Sequence, residues 1–97
     1  MKAVFISYNQ ALTERLNYIF ECLRIKGFTE FPLVYGTGTN GGEPRMGSHT
    51  WPEMNAAKLA IVEDDMVPLI LKYVENLDNV NKANGIRAFV WNIEQQY

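Results

Sequence analysis

The sequence has one cysteine, Cys22, and one histidine, His49, in 97 residues. A lone cysteine leaves no intrachain disulfide, and a reducing compartment is the simpler setting for such a chain. One histidine and one cysteine are also too few for a tetrahedral zinc site within one subunit, so a metal would need carboxylates or several subunits. No stretch approaches the roughly 20 apolar residues of a membrane span. The first ten residues, MKAVFISYNQ, turn polar too early for a secretory leader, so a cytoplasmic location is expected. Basic charge is equally sparse: nine Lys and Arg stand against eleven Asp and Glu, for a net charge of -2. Nucleic-acid affinity rests on clustered Lys and Arg, and here they are scattered, so nucleic acid is not an expected partner. No Ser-His-Asp or Cys-His set can be assembled around a single histidine, and helix capping accounts for Glu63, Asp64 and Asp65. The chain does not read as an enzyme.

What is present is an ordinary foldable composition. Hydrophobic residues make up 47% and charged residues 21%, which suits one globular domain spanning residues 1–97. Lys2 to Tyr8 is rich in β-branched and aromatic residues and reads as a strand apolar on both faces. From Gln10 to Lys26 the period changes. Leu12, Leu16, Ile19, Phe20 and Leu23 form the stripe of an amphipathic helix, with Gly27 placed to end it. Phe28 to Tyr35 is a second strand, confined to an edge or a bulge by Pro32.

Glu53 to Val62 alternates as a third strand, and Asp64 or Asp65 can cap a second helix with Pro68 in its first turn. Val67, Ile70, Leu71, Val74 and Leu77 make the buried stripe of that helix. Asp78 to Gly85 is a polar turn, and Ile86 to Ile93 a fourth strand. This β-α-β, loop, β-α-β order predicts an α+β, ferredoxin-like domain: a four-stranded antiparallel sheet with two helices on one face. Two helices cover one side only. Yet Ala3 and Phe5 oppose Val4 and Ile6, and Phe89 and Trp91 oppose Ala88 and Val90, so the second side is apolar too. A patch of that size predicts an oligomer, with open sheet faces packed together.

The working part is expected in Gly36 to Pro52, GTGTNGGEPRMGSHTWP, which holds five of the seven glycines and almost no aliphatic residue. A connection of that length is read as a flexible binding loop, a lid or local disorder. Its glycines could bring backbone N–H groups close to an anion, although no Lys-Ser/Thr ending follows and no helix opens after it. Arg87, just after a polar turn, could meet a phosphate or carboxylate, or make a surface ion pair. Lys58 sits among alanines in mid-strand. Its head must reach water or a partner charge at the strand edge, and contact with a ligand is the third possibility. His49, with Glu43, Met46, Glu53 and Met54 near it in sequence, is the candidate metal ligand. Cys22 reads as a structural thiol, and Trp51 and Trp91 as packing residues.

Three stretches resemble a known family. Gly36-Thr37-Gly38 looks like a Gly-aromatic-Gly loop base, and Lys58 through Val67, KLAIVEDDMV, resembles a third strand running into a DDxxV-like helix start. Arg87-Ala88-Phe89-Val90-Trp91 is similar to a basic-Ile-Phe-Val last strand. Together they resemble the PII nitrogen-regulatory signalling proteins and their PII-like relatives, trimers of ferredoxin-like subunits with a long loop between the second and third strands. The resemblance implies a homotrimer that binds a small effector, an adenine nucleotide among the candidates, in clefts between subunits. It implies Gly36, Thr37 and Gly38 at the loop base, Gly85 in the turn and Arg87 on the phosphate. It also implies a target protein or membrane transporter contacted by the loop.

Thr39 and Asn40 stand where the family's signalling members have an Arg-Gln pair serving magnesium and ATP, and no tyrosine follows Tyr35 in the loop. The final Glu94-Gln95-Gln96-Tyr97 lacks the family's terminal-phosphate arginines. A small, anionic ligand other than the standard one is therefore expected. The main alternative is a trimeric divalent-metal-binding protein of the cation-tolerance type, using His49 with carboxylates. An acylphosphatase is the weaker one, because Tyr8-Asn9-Gln10-Ala11 occupies the place of its Gly-rich anion loop and Arg.

Overall fold

A computed structural model of the protein describes residues 1–36, 54–80 and 85–97. Four strands, β1 (Lys2–Asn9), β2 (Phe28–Val34), β3 (Asn55–Val62) and β4 (Ile86–Asn92), and two helices, α1 (Thr13–Cys22) and α2 (Val67–Val80), follow the expected order. The sheet order is β2-β3-β1-β4 and every neighbouring pair is antiparallel, so this is the ferredoxin-like arrangement. β1 lies inside the sheet, facing β3 from Lys2↔Val62 to Asn9↔Asn55 and β4 from Lys2↔Asn92 to Tyr8↔Ile86. β2 is an edge strand, and its pairing with β3 becomes irregular between Phe31 and Val34. Pro32 falls inside that irregular stretch, where its missing N–H interrupts no ladder.

The core lies between one sheet face and the two helices. Val4, Ile6, Tyr8, Ala56, Ala60, Val62 and Ile86 meet Leu12, Leu16, Ile19 and Phe20 from the α1 segment and Ile70 and Val74 from α2. Small residues on β3 leave room for the helices to approach. Leu71 is exposed rather than part of the α2 stripe, because the buried side is centred on Ile70 and Val74. That helix also runs on through Asp78 to Val80, which sequence alone placed in a turn.

The ends of the helices correct two further expectations. α1 is preceded by a 3-10 turn over Gln10–Leu12 and stops well before Gly27. Arg24 takes the left-handed backbone at φ 59°, with its N–H on the Glu21 carbonyl at 3.0 Å, while the Ile25 N–H reaches the Phe20 carbonyl at 2.8 Å. These two bonds form a Schellman ending, closed by Ile25 packing back on the core. Before α2, residues Asp64–Met66 form a 3-10 turn whose N-cap, Glu63, makes no side-chain capping bond. Asp64 instead accepts from the Met1 ammonium at 3.0 Å. Cys22, read from the sequence as a structural thiol, is exposed. A hydrogen bond with its thiol is the main cause of a raised Tyr18 phenol pKa.

Lys58 is the one charged side chain buried on the helix-covered face among the described residues. Its position on β3 points it beneath α1, and it is fully buried. Of the outcomes considered for its head, the structure shows a partner charge: Nζ donates to Glu30 Oε1, directly opposite on edge strand β2. Three rings complete the enclosure. Nζ lies 4.9 Å from the centre of Phe28 and 5.9 Å from those of Tyr8 and Phe20. Such faces attract a cation and offset part of its lost hydration. The Tyr8 hydroxyl beside them is buried with no hydrogen-bond partner among the described residues.

Candidate functional site

Antiparallel pairing brings four chain ends to the same end of the sheet: the close of β1 and β2 and the opening of β3 and β4. Gly36, Asn55, Gly85 and Arg87 therefore gather there. Gly85 has φ 69°, a backbone that side chains with a Cβ rarely adopt. Its carbonyl accepts from the Asn9 N–H at 3.2 Å. At Gly36 an added Cβ would lie 3.3 Å from Asn55 Nδ2, so a larger residue would displace that amide.

Arg87 stands opposite Ser7 on the sheet face away from the helices, and it is exposed. Its Nη1 donates to the Ile86 carbonyl at 2.9 Å. Among the described residues that bond engages one of the five guanidinium N–H donors. Lys58 does not join this group, because it occupies the opposite face under α1 and its charge is engaged by Glu30. Thr37, Gly38 and His49 lie outside the described residues, as does the rest of the expected loop after Gly36. Among the described residues, no three His, Cys, Asp or Glu side chains come together where they could hold a metal ion. No helix among them is long and apolar enough to cross a membrane.

The sheet face that carries Arg87 is the uncovered one. On β4, Trp91 is 49% and Phe89 57% exposed; Ile61 on β3 and Phe31 on the opposite edge strand β2 are exposed as well, with Phe5 and Leu59 half-buried between them and Ala3 and Ala57 buried. Trp91 therefore packs on nothing within the described residues that would enclose it. Both sheet faces are apolar, as the alternation of the strands predicts.

One local feature escaped the sequence. Asn9 is buried and polar, its side-chain oxygen accepting from the Ala11 N–H at 2.8 Å and so capping the 3-10 turn. Gln10 follows, with its N–H on the Met54 carbonyl at 2.7 Å and its Nε2 on the Pro32 carbonyl at 2.8 Å. An Asn at the end of a strand is a turn signal, but nothing in the sequence says which distant carbonyls such a turn will meet.

No family model matches the chain, and no curated protein matches it in sequence. Solved structures do match. CPII, a nitrogen regulatory PII-like protein from Thiomonas intermedia K12 bound to ADP, AMP and bicarbonate, superposes with a TM-score of 0.74 at 21% identity, covering 95% of this chain and 84% of that one. The same protein bound to ADP and bicarbonate gives 0.72 at 22% identity, with 95% and 84% covered. A Thermus thermophilus protein assigned to the PII-like signalling proteins gives 0.67 at 23% identity, with 95% and 85% covered. The chain has the fold of the PII-like signalling proteins over nearly its whole length.

Proposed function

We propose that this chain is a PII-like regulatory protein, not an enzyme, which assembles as a homotrimer through its open sheet face. In this reading it binds an adenine nucleotide, ADP or AMP, in the clefts between neighbouring subunits. The observation that carries it is the gathering of Gly36, Gly85 and Arg87 at one end of the sheet, in a fold shared with a protein bound to those nucleotides. Gly85 supplies the positive-φ turn from which β4 starts, and Arg87 is the phosphate partner in this reading. On the same reading Gly36, together with Thr37 and Gly38 outside the described residues, is the chain's second contribution to the cleft. Bicarbonate, held by the same relative, is the candidate second ligand.

Signalling requires that ligand favour one arrangement of residues 36–52 over another, since equal affinity for both would shift nothing. A target protein reading those residues completes the proposal. Calorimetry with ADP, AMP, ATP and bicarbonate tests it, with the Arg87→Ala variant as the decisive comparison. A charge-assisted hydrogen bond is worth about 1.5–3 kcal/mol, so ADP affinity should fall at least about tenfold. Equal affinity in the variant and the unaltered chain would remove Arg87 from the phosphate site. The metal-binding alternative through His49 has no observation in its favour among the described residues.

A further inference from the structure

We infer that Asn9 and Gln10 form a positioning junction that fixes Gly36 and Arg87, the two contributions of one chain to the proposed intersubunit cleft, relative to each other. This rests on the functional reading above. The junction is adjacent in sequence but reaches three separated strand ends. The Asn9 N–H holds the Gly85 carbonyl, two residues before Arg87. The Gln10 N–H holds the Met54 carbonyl, immediately before β3, and Gln10 Nε2 holds the Pro32 carbonyl in the irregular end of β2 that leads to Gly36. Asn9 Oδ1 on the Ala11 N–H and the Thr13 hydroxyl on the Gln10 carbonyl, both at 2.8 Å, stiffen the turn from within.

The arrangement matters because β2 and β4 are the two edges of the sheet and share no ladder. Gly36 at one edge and Arg87 at the other have two strands between them. Beyond those ladders, the 9–10 turn is a direct hydrogen-bonded route from the β4 opening to the β2 end. The irregular pairing after Phe31 weakens the ladder where the Gln10 side chain supplies its bond. Neither residue has to touch a ligand for the cleft to depend on both. They are positioning residues, and their effect should appear as affinity and local protection rather than as loss of fold.

Gln10→Ala is the informative variant, because Gln10 is exposed and, among the described residues, the change removes only the tie to Pro32. Two readouts are expected from it. ADP affinity, measured by calorimetry, should fall about threefold, the scale of one solvent-exposed hydrogen bond, with Tm unchanged. That loss should shrink in an Arg87→Ala background, since contacts that act through one another do not add. Without any ligand, hydrogen exchange of the Asn9 amide, on the β4 side of the junction, should quicken although the substitution lies on the β2 side. Gln10→Glu, which keeps the shape but donates nothing at neutral pH, should behave like Gln10→Ala, and Gln10→Lys should recover part of the loss. An unchanged Asn9 exchange rate in Gln10→Ala overturns the junction, whatever the nucleotide does. Failure of the unaltered chain to bind ADP or AMP sinks the functional reading alone, and the exchange rate then decides the junction by itself.

Discussion

The two faces of the sheet come from the same four strands, and they differ in what covers them. Beneath the helices, Val4, Ile6, Ala56, Ala60 and Ile86 are almost entirely buried, and the Lys58 charge there is enclosed by rings and a carboxylate. On the other side, Phe31, Ile61, Phe89 and Trp91 meet solvent in the single chain. The covered face carries small residues where helices press on it, whereas the open face is bulky from centre to edge, with Phe5 and Leu59 half-buried on the interior strands and Phe31, Phe89 and Trp91 exposed on the outer ones. The difference teaches that burial within one chain accounts for only one of the two apolar faces.

The contrast can be broken most strongly from the covered side. Leu16→Ala removes a fully buried side chain and should cost about 3 kcal/mol in urea unfolding. Glu30→Ala leaves the Lys58 charge buried and unpaired. Because Glu30 is itself partly exposed and water can take its place, the loss should be about 2 kcal/mol, smaller than for an enclosed pair. Adding Lys58→Met should recover most of it, and a double variant no more stable than Glu30→Ala would show that the pair is not the cause. Tyr8→Phe should instead stabilise by about 1 kcal/mol, since it removes a buried hydroxyl without a partner among the described residues.

On the open side, Phe89→Ala should change the stability of a dissociated chain by less than about 0.5 kcal/mol. The same substitution should lower the mass seen in sedimentation, and an unchanged mass would mean that this face is not where subunits meet. The smallest effect concerns Asp64. Its carboxyl is held below the usual range, chiefly by its hydrogen bond to the Met1 ammonium and next by that ammonium's charge. A depressed carboxyl favours the folded state above its unfolded pKa, and the benefit disappears as pH falls through the folded value. The urea midpoint should therefore drop slightly more between neutral and acid pH in the unaltered chain than in Asp64→Asn.

Much of the architecture was legible because it is written in local periods. The β-branched and aromatic run of β1, the alternation in β3 and the Leu16, Ile19, Phe20 stripe announce their elements without any partner. What stayed hidden was non-local or carried by backbone. Glu30 and Lys58 are 28 residues apart, and only the β2–β3 register makes them neighbours. Arg24 ends α1 in a conformation that usually signals glycine, so the nearby Gly27 was the more natural reading. At the candidate site, Gly85 and Arg87 could be picked out as turn and charge. Their companions Asn9 and Gln10 could not, because two of the junction's longer reaches use main-chain N–H groups that any residue but proline possesses.

The interior place of β1 has a consequence for how the protein is made. Its ladders are with residues 55–62 and 86–92, so the domain's earliest strand emerges long before either neighbour exists. Sheet assembly must wait until most of the polypeptide has left the ribosome, and the last rung closes only with β4. Such distant pairing slows folding and leaves an apolar strand uncovered meanwhile. A newly synthesised chain is thus most exposed to misassembly and to chaperones before residues 86–92 appear.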